Sequence, residues 1–206
     1  MKKLLLILCI LSNSMQIFCS HEESTSQELD FEALKPKIIL AINEGIGLGE
    51  IIKIKDRNPD LFSQFINHHR QEHSTFLRNA IYSNDPVKVK RLINLGADVN
   101  QENEIGEILL HLAARFNAFK AIPLLIDAGA DVNKQDIGGY TPLHRAAQNE
   151  AIEAIQRLIL ANANINQETT FWHYTPLHLA RYNNDDEAAR LLIAAGANKI
   201  KMLHSF

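Results

Sequence analysis

An all-α solenoid of stacked helix-turn-helix units with β-hairpin-like loops, capped by an N-terminal helical segment, is the fold class predicted by this 206-residue sequence. Three observations point there. Gly96-Ala97-Asp98-Val99-Asn100, Gly129-Ala130-Asp131-Val132-Asn133 and Asn162-Ala163-Asn164-Ile165-Asn166 recur every 33 residues, and Gly196-Ala197-Asn198 follows after 34. A second register keeps step: Thr141-Pro142-Leu143-His144 and Thr175-Pro176-Leu177-His178 are 34 apart, and Ile108-Leu109-Leu110-His111 precedes the former by 33. Between the registers, apolar residues recur at helical spacing. A fixed period of this length marks a repeat array. The 46% hydrophobic content is then spread over thin layers.

The elements follow in order. Met1-Lys2-Lys3, the apolar run Leu4 to Leu11 and Ser12-Asn13-Ser14 have the order of a Sec-type signal peptide, assigned to residues 1–20. Asn13, Ser14 and Gln16 interrupt the run well short of the roughly 20 residues that span a bilayer. No permanent membrane anchor is therefore expected, and the chain is expected to be secreted or periplasmic. Two cleavage points are open: Ser12-x-Ser14 fits the small-x-small rule, while a cut after Ser20 puts Phe18 where a small side chain is wanted. If cleavage falls near Ser20 it removes Cys9 and Cys19, the only two cysteines, and with them disulfides, cysteine zinc sites and thiol catalysis. It also removes Lys2 and Lys3, taking the formal charge from −3 to −5.

Residues 21–28 read as a solvated linker. Residues 29–66 carry an apolar helical stripe at Leu34, Ile38, Ile39, Ala41 and Ile42, ended by Gly45, Gly47 and Gly49. A second helix is expected after Asn58-Pro59-Asp60, with Leu61, Phe62, Phe65 and Ile66 inward. This pair is expected to cap the stack, because an end unit needs a polar outer side. The repeats are placed at about 67–99, 100–132, 133–165 and 166–199, with a tail at 200–206; the segment from Gly196 to Phe206 is expected to fold back as a rudimentary cap.

Within each unit the residue types fit their slots. Pro142 and Pro176 suit a first helical residue, whose N–H has no partner in any case, and Thr141 and Thr175 stand where they cap those helices. Ala113, Ala146 and Ala180 let two helices approach, while Ile122, Leu125, Ile155, Leu158, Leu191 and Leu192 fill the layer between units. Second helices are expected at Asp85-Pro86 and at Asn184-Asp185-Asp186. Gly96, Gly129 and Gly196 end second helices in the left-handed conformation, with Asn162 as the substitute at that slot. Pro123 falls in the first turns of a second helix, which predicts a late start or a kink.

Taken together, Thr-Pro-Leu-His, Ala146-Ala147, the apolar pairs of the second helix and Gly-Ala-Asp-x-Asn resemble the ankyrin repeat, over roughly residues 67 to 199. The resemblance implies that His111, His144 and His178 are structural, bonded to loop backbone and to the nearby Thr hydroxyl. It also implies a protein-binding module using loop tips and first-helix surfaces.

The chemistry excluded is as informative. Twenty-one basic against 24 acidic residues leave no field for nucleic acid. Gly45-x-Gly47-x-Gly49 has no preceding strand and the wrong third spacing for a dinucleotide loop. No catalytic set is visible, and neither a cofactor nor a small-molecule substrate is expected. His69 and His73, at i and i+4 with Glu72 nearby, form the one metal-like pair, but no third cluster completes a site. A catalytic or metal-dependent unit at 29–73, and a structural spacer without a partner, are the alternatives to an exported binding protein. For partner contact the sequence offers Phe171, Trp172 and Tyr174 on a tip with a one-residue insertion. Tyr140, Arg145, Gln148, Glu107, Arg115, Phe116, Arg181 and Tyr182 are expected nearby. Trp172 and Phe171 either stand exposed there or fold onto the preceding unit or the C-terminal segment.

Overall fold

A computed structural model describes residues 31–45, 47–57, 59 and 70–198. The expected signal segment, linker and tail, together with Leu61, Phe62, Phe65, Ile66, His68 and His69, lie outside the described residues. The chain divides into two units, Met1–Ala33 and Leu34–Phe206, and nearly all described residues belong to the second.

That second unit is all-helical among the described residues. Helix α1 (Phe31–Glu44) begins just before it; α2 (Leu48–Arg57), α3 (Arg70–Tyr82), α4 (Pro86–Asn94), α5 (Leu109–Arg115) and α6 (Ala121–Asp127) follow. The last four are α7 (Pro142–Gln148), α8 (Ile152–Leu160), α9 (Pro176–Tyr182) and α10 (Asp186–Ala194). First helices α3, α5, α7 and α9 alternate with second helices α4, α6, α8 and α10, and each pair packs on the next. Ala113, Ala146 and Ala180 are fully buried where first helices meet, and Ile122, Leu125, Ile155, Leu158 and Leu192 are fully buried behind them. Leu191 is half-buried.

Capping decides where these short helices start. Thr141 Oγ1 and Thr175 Oγ1 accept the backbone N–H of His144 and His178, with Pro142 and Pro176 in the first turn. Asp85 accepts from the N–H groups of Val87 and Lys88, and Asp185 from those of Glu187 and Ala188. The helix-to-helix turn needs one left-handed residue: Asn84, Asn117, Glu150 and Asn184 all have φ between 47° and 59°. Gly96, Gly129 and Gly196 take φ of 90°, 90° and 100° after the second helices, and Asn162 takes 59° at the same slot.

Pro123 delays its helix, as its missing N–H predicts. Ile152 starts α8, so the 33-residue register puts the start of α6 at 119, yet α6 begins at Ala121. Pro123 cannot donate to the carbonyl four residues back, so the first turn is not closed there.

The N-terminal part corrects one expectation. Gly45 (φ 75°) does end α1 and Gly47 (φ 76°) follows in the turn, but Gly49 lies inside α2. A helix therefore already occupies 48–57, ahead of the expected start at Asn58-Pro59-Asp60. Lys55 Nζ donates to the Asn94 carbonyl at 2.7 Å, placing a cation at the negative end of α4.

Asn side chains stitch the other edge of the stack. Asn100 Nδ2 donates to the Gly129 carbonyl at 2.8 Å while its Oδ1 accepts the Asp131 N–H at 3.3 Å. Asn166 repeats this with Gly196 (3.2 Å) and Asn198 (2.9 Å), and Asn133 Oδ1 accepts the Asn164 N–H at 2.7 Å. The Asn of Gly-Ala-Asp-x-Asn is thus a link between units.

Candidate functional site

Hairpin-like tips precede α5, α7 and α9, and one side chain sets the turn in each. Asn103 Oδ1 accepts the N–H of Ile105 (3.1 Å) and Glu107 (2.8 Å). Asp136 Oδ1 accepts those of Gly138 and Tyr140, both at 2.9 Å, and Thr169 Oγ1 accepts that of Tyr174 at 3.0 Å. A short oxygen-bearing side chain can imitate a backbone carbonyl in a turn. Positions 103, 136 and 169 are 33 apart. Sequence reasoning missed this slot because three residue types fill it.

Backbone hydrogen bonds then make the tips one ribbon. Asn103 N–H to the Glu107 carbonyl, Asp136 to Tyr140 and Thr169 to Tyr174 close the tips, each at 3.0 Å. Ile137 N–H to the Ile105 carbonyl and Thr170 N–H to the Gly138 carbonyl join neighbouring tips, also at 3.0 Å.

The histidines tie this ribbon to the helices. His144 Nδ1 accepts the Thr141 N–H at 3.1 Å, which assigns the proton to Nε2; Nε2 donates to the Tyr174 carbonyl of the next tip at 2.9 Å. His111 does the same, from the Ile108 N–H (3.2 Å) to the Tyr140 carbonyl (3.0 Å). His178 Nδ1 accepts the Thr175 N–H at 3.0 Å and lies 2.8 Å from its hydroxyl. Loss of hydration on burial pushes the pKa of His144 down to about 4 and that of His111 below its ordinary value; the bonds to the tip carbonyls oppose the shift. The His111 and His144 imidazoles are neutral links between units.

Glu107, expected on the open surface, is buried. Its Oε1 pairs with Arg115 Nη2 and lies 3.0 Å from Arg145 Nε, though Nε is not aligned to donate a hydrogen bond. Arg145 Nη2 donates to Asp136 Oδ2 at 2.5 Å, Nη1 to Gln148 Oε1 at 3.2 Å, and the guanidinium lies over the Tyr140 ring, 4.5 Å from its centroid. Arg115, Glu107, Arg145 and Asp136 alternate in sign and neutralise one another. With 15% of its side chain exposed, Arg145 is a brace across two tips, not a free contact residue.

The aromatic tip is open. Phe171 is 72% exposed and Trp172 67%, which decides between the two readings of this tip. The Trp172 and Tyr174 rings lie within 16° of parallel with centroids 6.4 Å apart, and Tyr174 leans on His178 at 6.2 Å. Between them His173 has φ 50°, and its Nδ1 lies 3.1 Å from Glu168 Oε2. Tyr140 is half-buried one tip away. Ile105 and Ile137 are exposed on the neighbouring tips; isoleucine at such positions reads as core, so sequence reasoning passed over them.

The remaining candidates stand elsewhere. Phe116 packs edge-on against Tyr82 at 4.7 Å and 82°, past the C-terminus of α5. Gln148, Arg181 and Tyr182 are exposed at the C-terminal ends of α7 and α9. A seven-residue helix separates them from the tips, about 10 Å. Among the described residues no three His, Cys, Asp or Glu are placed to hold a metal ion, and no helix is long and apolar enough to cross a membrane. The His69–His73 pair falls partly outside the described residues.

A family model described as ankyrin repeats matches the chain three times, over residues 51–136, 77–169 and 110–202. Comparison with the curated proteins gives no match at a significant level.

Proposed function

The chain belongs to the ankyrin-repeat family, and from that premise we propose that it is an exported, non-enzymatic module that captures a protein partner through its last tip. Ankyrin repeats generally mediate protein-protein interaction and are typically non-enzymatic scaffolds. Export is inferred from the Lys2-Lys3 start and the apolar run that follows it.

The observation that carries the site is the exposure of Phe171 and Trp172 beside Tyr174 on the one tip with an inserted residue. Aromatic side chains are costly to hold in water, and at interfaces they supply much of the binding energy. Tyr182, Arg181 and Gln148 form a second exposed group that a larger partner can reach; Arg115 and Arg145 act behind both by fixing the tips.

The test is capture of partners by chemical crosslinking in the native organism, read by mass spectrometry. Replacing Trp172 and Tyr174 with Ala should reduce capture at least tenfold while the helical circular dichroism stays unchanged. Unchanged capture would sink the assignment.

A further inference from the structure

A titratable side chain fastens the last tip to the stack, and the inference drawn from it deepens the partner-binding reading above and rests on it. Among the described residues, tip 169–174 is bonded to the unit before it in two places: the Thr170 N–H donates to the Gly138 carbonyl at 3.0 Å, and His144 Nε2 donates to the Tyr174 carbonyl at 2.9 Å. The bonds from the Thr169 N–H to the Tyr174 carbonyl and from the Tyr174 N–H to Thr169 Oγ1 are internal to the tip, so it can move as a closed unit.

The tip at 136–140 is braced more heavily. Arg145 Nη2 holds Asp136 at 2.5 Å, the same guanidinium lies over the Tyr140 ring, and the last tip itself packs over Gly139. In the last tip Thr169 fills the slot of Asp136, and Leu179 stands where Arg145 stands one unit earlier, two residues that cannot form an ion pair. His144 therefore carries a larger share of the tie at 169–174 than His111 carries at 136–140.

Both nitrogens of the buried His144 ring are committed: Nδ1 accepts the Thr141 N–H at 3.1 Å, and Nε2 donates. A proton added to Nδ1 sets a donor against that N–H. Thr141 Oγ1, 2.9 Å from Nδ1, already receives the His144 backbone N–H. The charged groups facing the ring are Asp136, which favours the cation, and Arg145, which opposes it, and these two are paired with each other. The remaining neighbours are the Tyr140 ring, edge-on at 5.9 Å, and the carbonyls of Gln167 and Tyr174. None of these is an unengaged carboxylate that would hold an imidazolium away from water.

We propose that the last tip is an acid-released latch: protonation of His144 turns its ring out to water and frees the Tyr174 carbonyl, so that the tip carrying Phe171, Trp172 and Tyr174 leaves the stack before the helices unfold. The surface holds its partner at neutral pH and releases it in acid. With a pKa of about 4 when docked and 6.5 when the ring is in water, the released tip is about 30-fold more populated at pH 5 than at neutral pH.

The test uses the full chain and residue-resolved amide exchange between pH 7.5 and 5, each rate divided by that of an unstructured chain at the same pH. Thr170 reports the release, because its N–H joins the two tips, and Thr141 reports the ring itself. Opening at Thr170 should rise about 30-fold at pH 5. Urea below the unfolding transition should leave it unchanged, because releasing one tip exposes little surface. His144→Asn should remove the pH dependence, and His173→Ala, which deletes the other histidine of this tip, should keep it. Loss of protection at Thr141 alone means a ring protonated in place and overturns the latch. Thr170 exchange that follows the helices in urea, ignores pH, or titrates unchanged in His144→Asn overturns it too. Crosslinking in an extract of the native organism at pH 7.5 and 5 separates the two readings. Capture that needs Trp172 but is equal at both pH values overturns the latch and leaves the tip as a binding site; capture that survives Trp172→Ala overturns both.

Discussion

The tip at 136–140 and the tip at 169–174 follow one plan and end differently. Each is set by a side-chain oxygen, closed by a backbone bond and followed by a tyrosine whose carbonyl receives a histidine from the unit before. In the earlier tip, Gly139 has φ 78°, and a Cβ built there would lie 2.5 Å from both the backbone N and the Oγ1 of Thr170. In the later tip the matching slot holds His173, also left-handed at φ 50°. A tip with another packed on it must give up side chains and bury its charges; the last tip keeps a histidine, an extra residue and three exposed aromatics. The difference shows where the fold constrains the sequence and where it leaves room for a binding surface.

The largest effect should come from placing one methyl group in each tip. Gly139→Ala forces a side chain into a left-handed residue and against backbone that belongs to the next tip. We expect a loss of about 3 kcal/mol, combining roughly 1–2 for the conformation with 1–3 for overpacking. His173→Ala should change stability by less than about 0.5 kcal/mol, as exposed substitutions do. Urea unfolding of both variants measures the contrast, and equal losses would break it.

Acidification probes the tie between the tips and the helices. His144 is neutral when folded, with a pKa of about 4 against 6.5 when unfolded. The unfolded chain therefore binds the extra proton. Stability is fully present above about pH 6.5 and falls as the pH drops from there toward 4. At pH 5.5 the loss is about 1.4 kcal/mol from this residue, one pH unit below the unfolded value, and His111 adds to it in the same direction. Protonating Nδ1 also opposes the Thr141 N–H, so the bond that holds the Tyr174 carbonyl loosens with it. Urea midpoints between pH 5 and 8 should fall on the acid side, and His144→Asn should flatten much of that slope. A pH-independent midpoint would refute the assignment.

The two tips were not equally legible in the sequence. The 33-residue register, the Thr and Asp caps and the glycine ends follow from local backbone needs, which recur as identical letters. Pro123 was legible for the same reason, since a missing N–H acts within its own turn. Asn103, Asp136 and Thr169 share a role that three side chains can fill, and the role is hidden by their variety. Glu107 was misplaced because its burial depends on Arg145, 38 residues on, and a long-range charge pair leaves no periodic trace. The helix at 48–57 was hidden by Gly49, whose low propensity costs only about 1 kcal/mol and is outweighed by packing such as that of Ile51. Trp172 was found by rarity, but its exposure is a property of the stack, because it depends on what covers the last unit.

The smallest effect tests whether the last tip keeps a conformational cost for the sake of its surface. His173 in the left-handed region costs roughly 1–2 kcal/mol relative to an unstrained residue, and glycine returns roughly 0.5–1 of any gain as lost chain freedom on folding. His173→Gly should therefore stabilise the protein by about 0.5 kcal/mol, read as a small rise in urea midpoint. The gain comes at the expense of the Glu168 contact at 3.1 Å, made by the residue that follows Trp172 in the tip. If the tip is shaped for a partner, the same variant should weaken capture several-fold while it raises stability. A rise in stability with capture unchanged would place His173 with Glu150, φ 55° in the turn between α7 and α8, as a left-handed residue that serves only its turn.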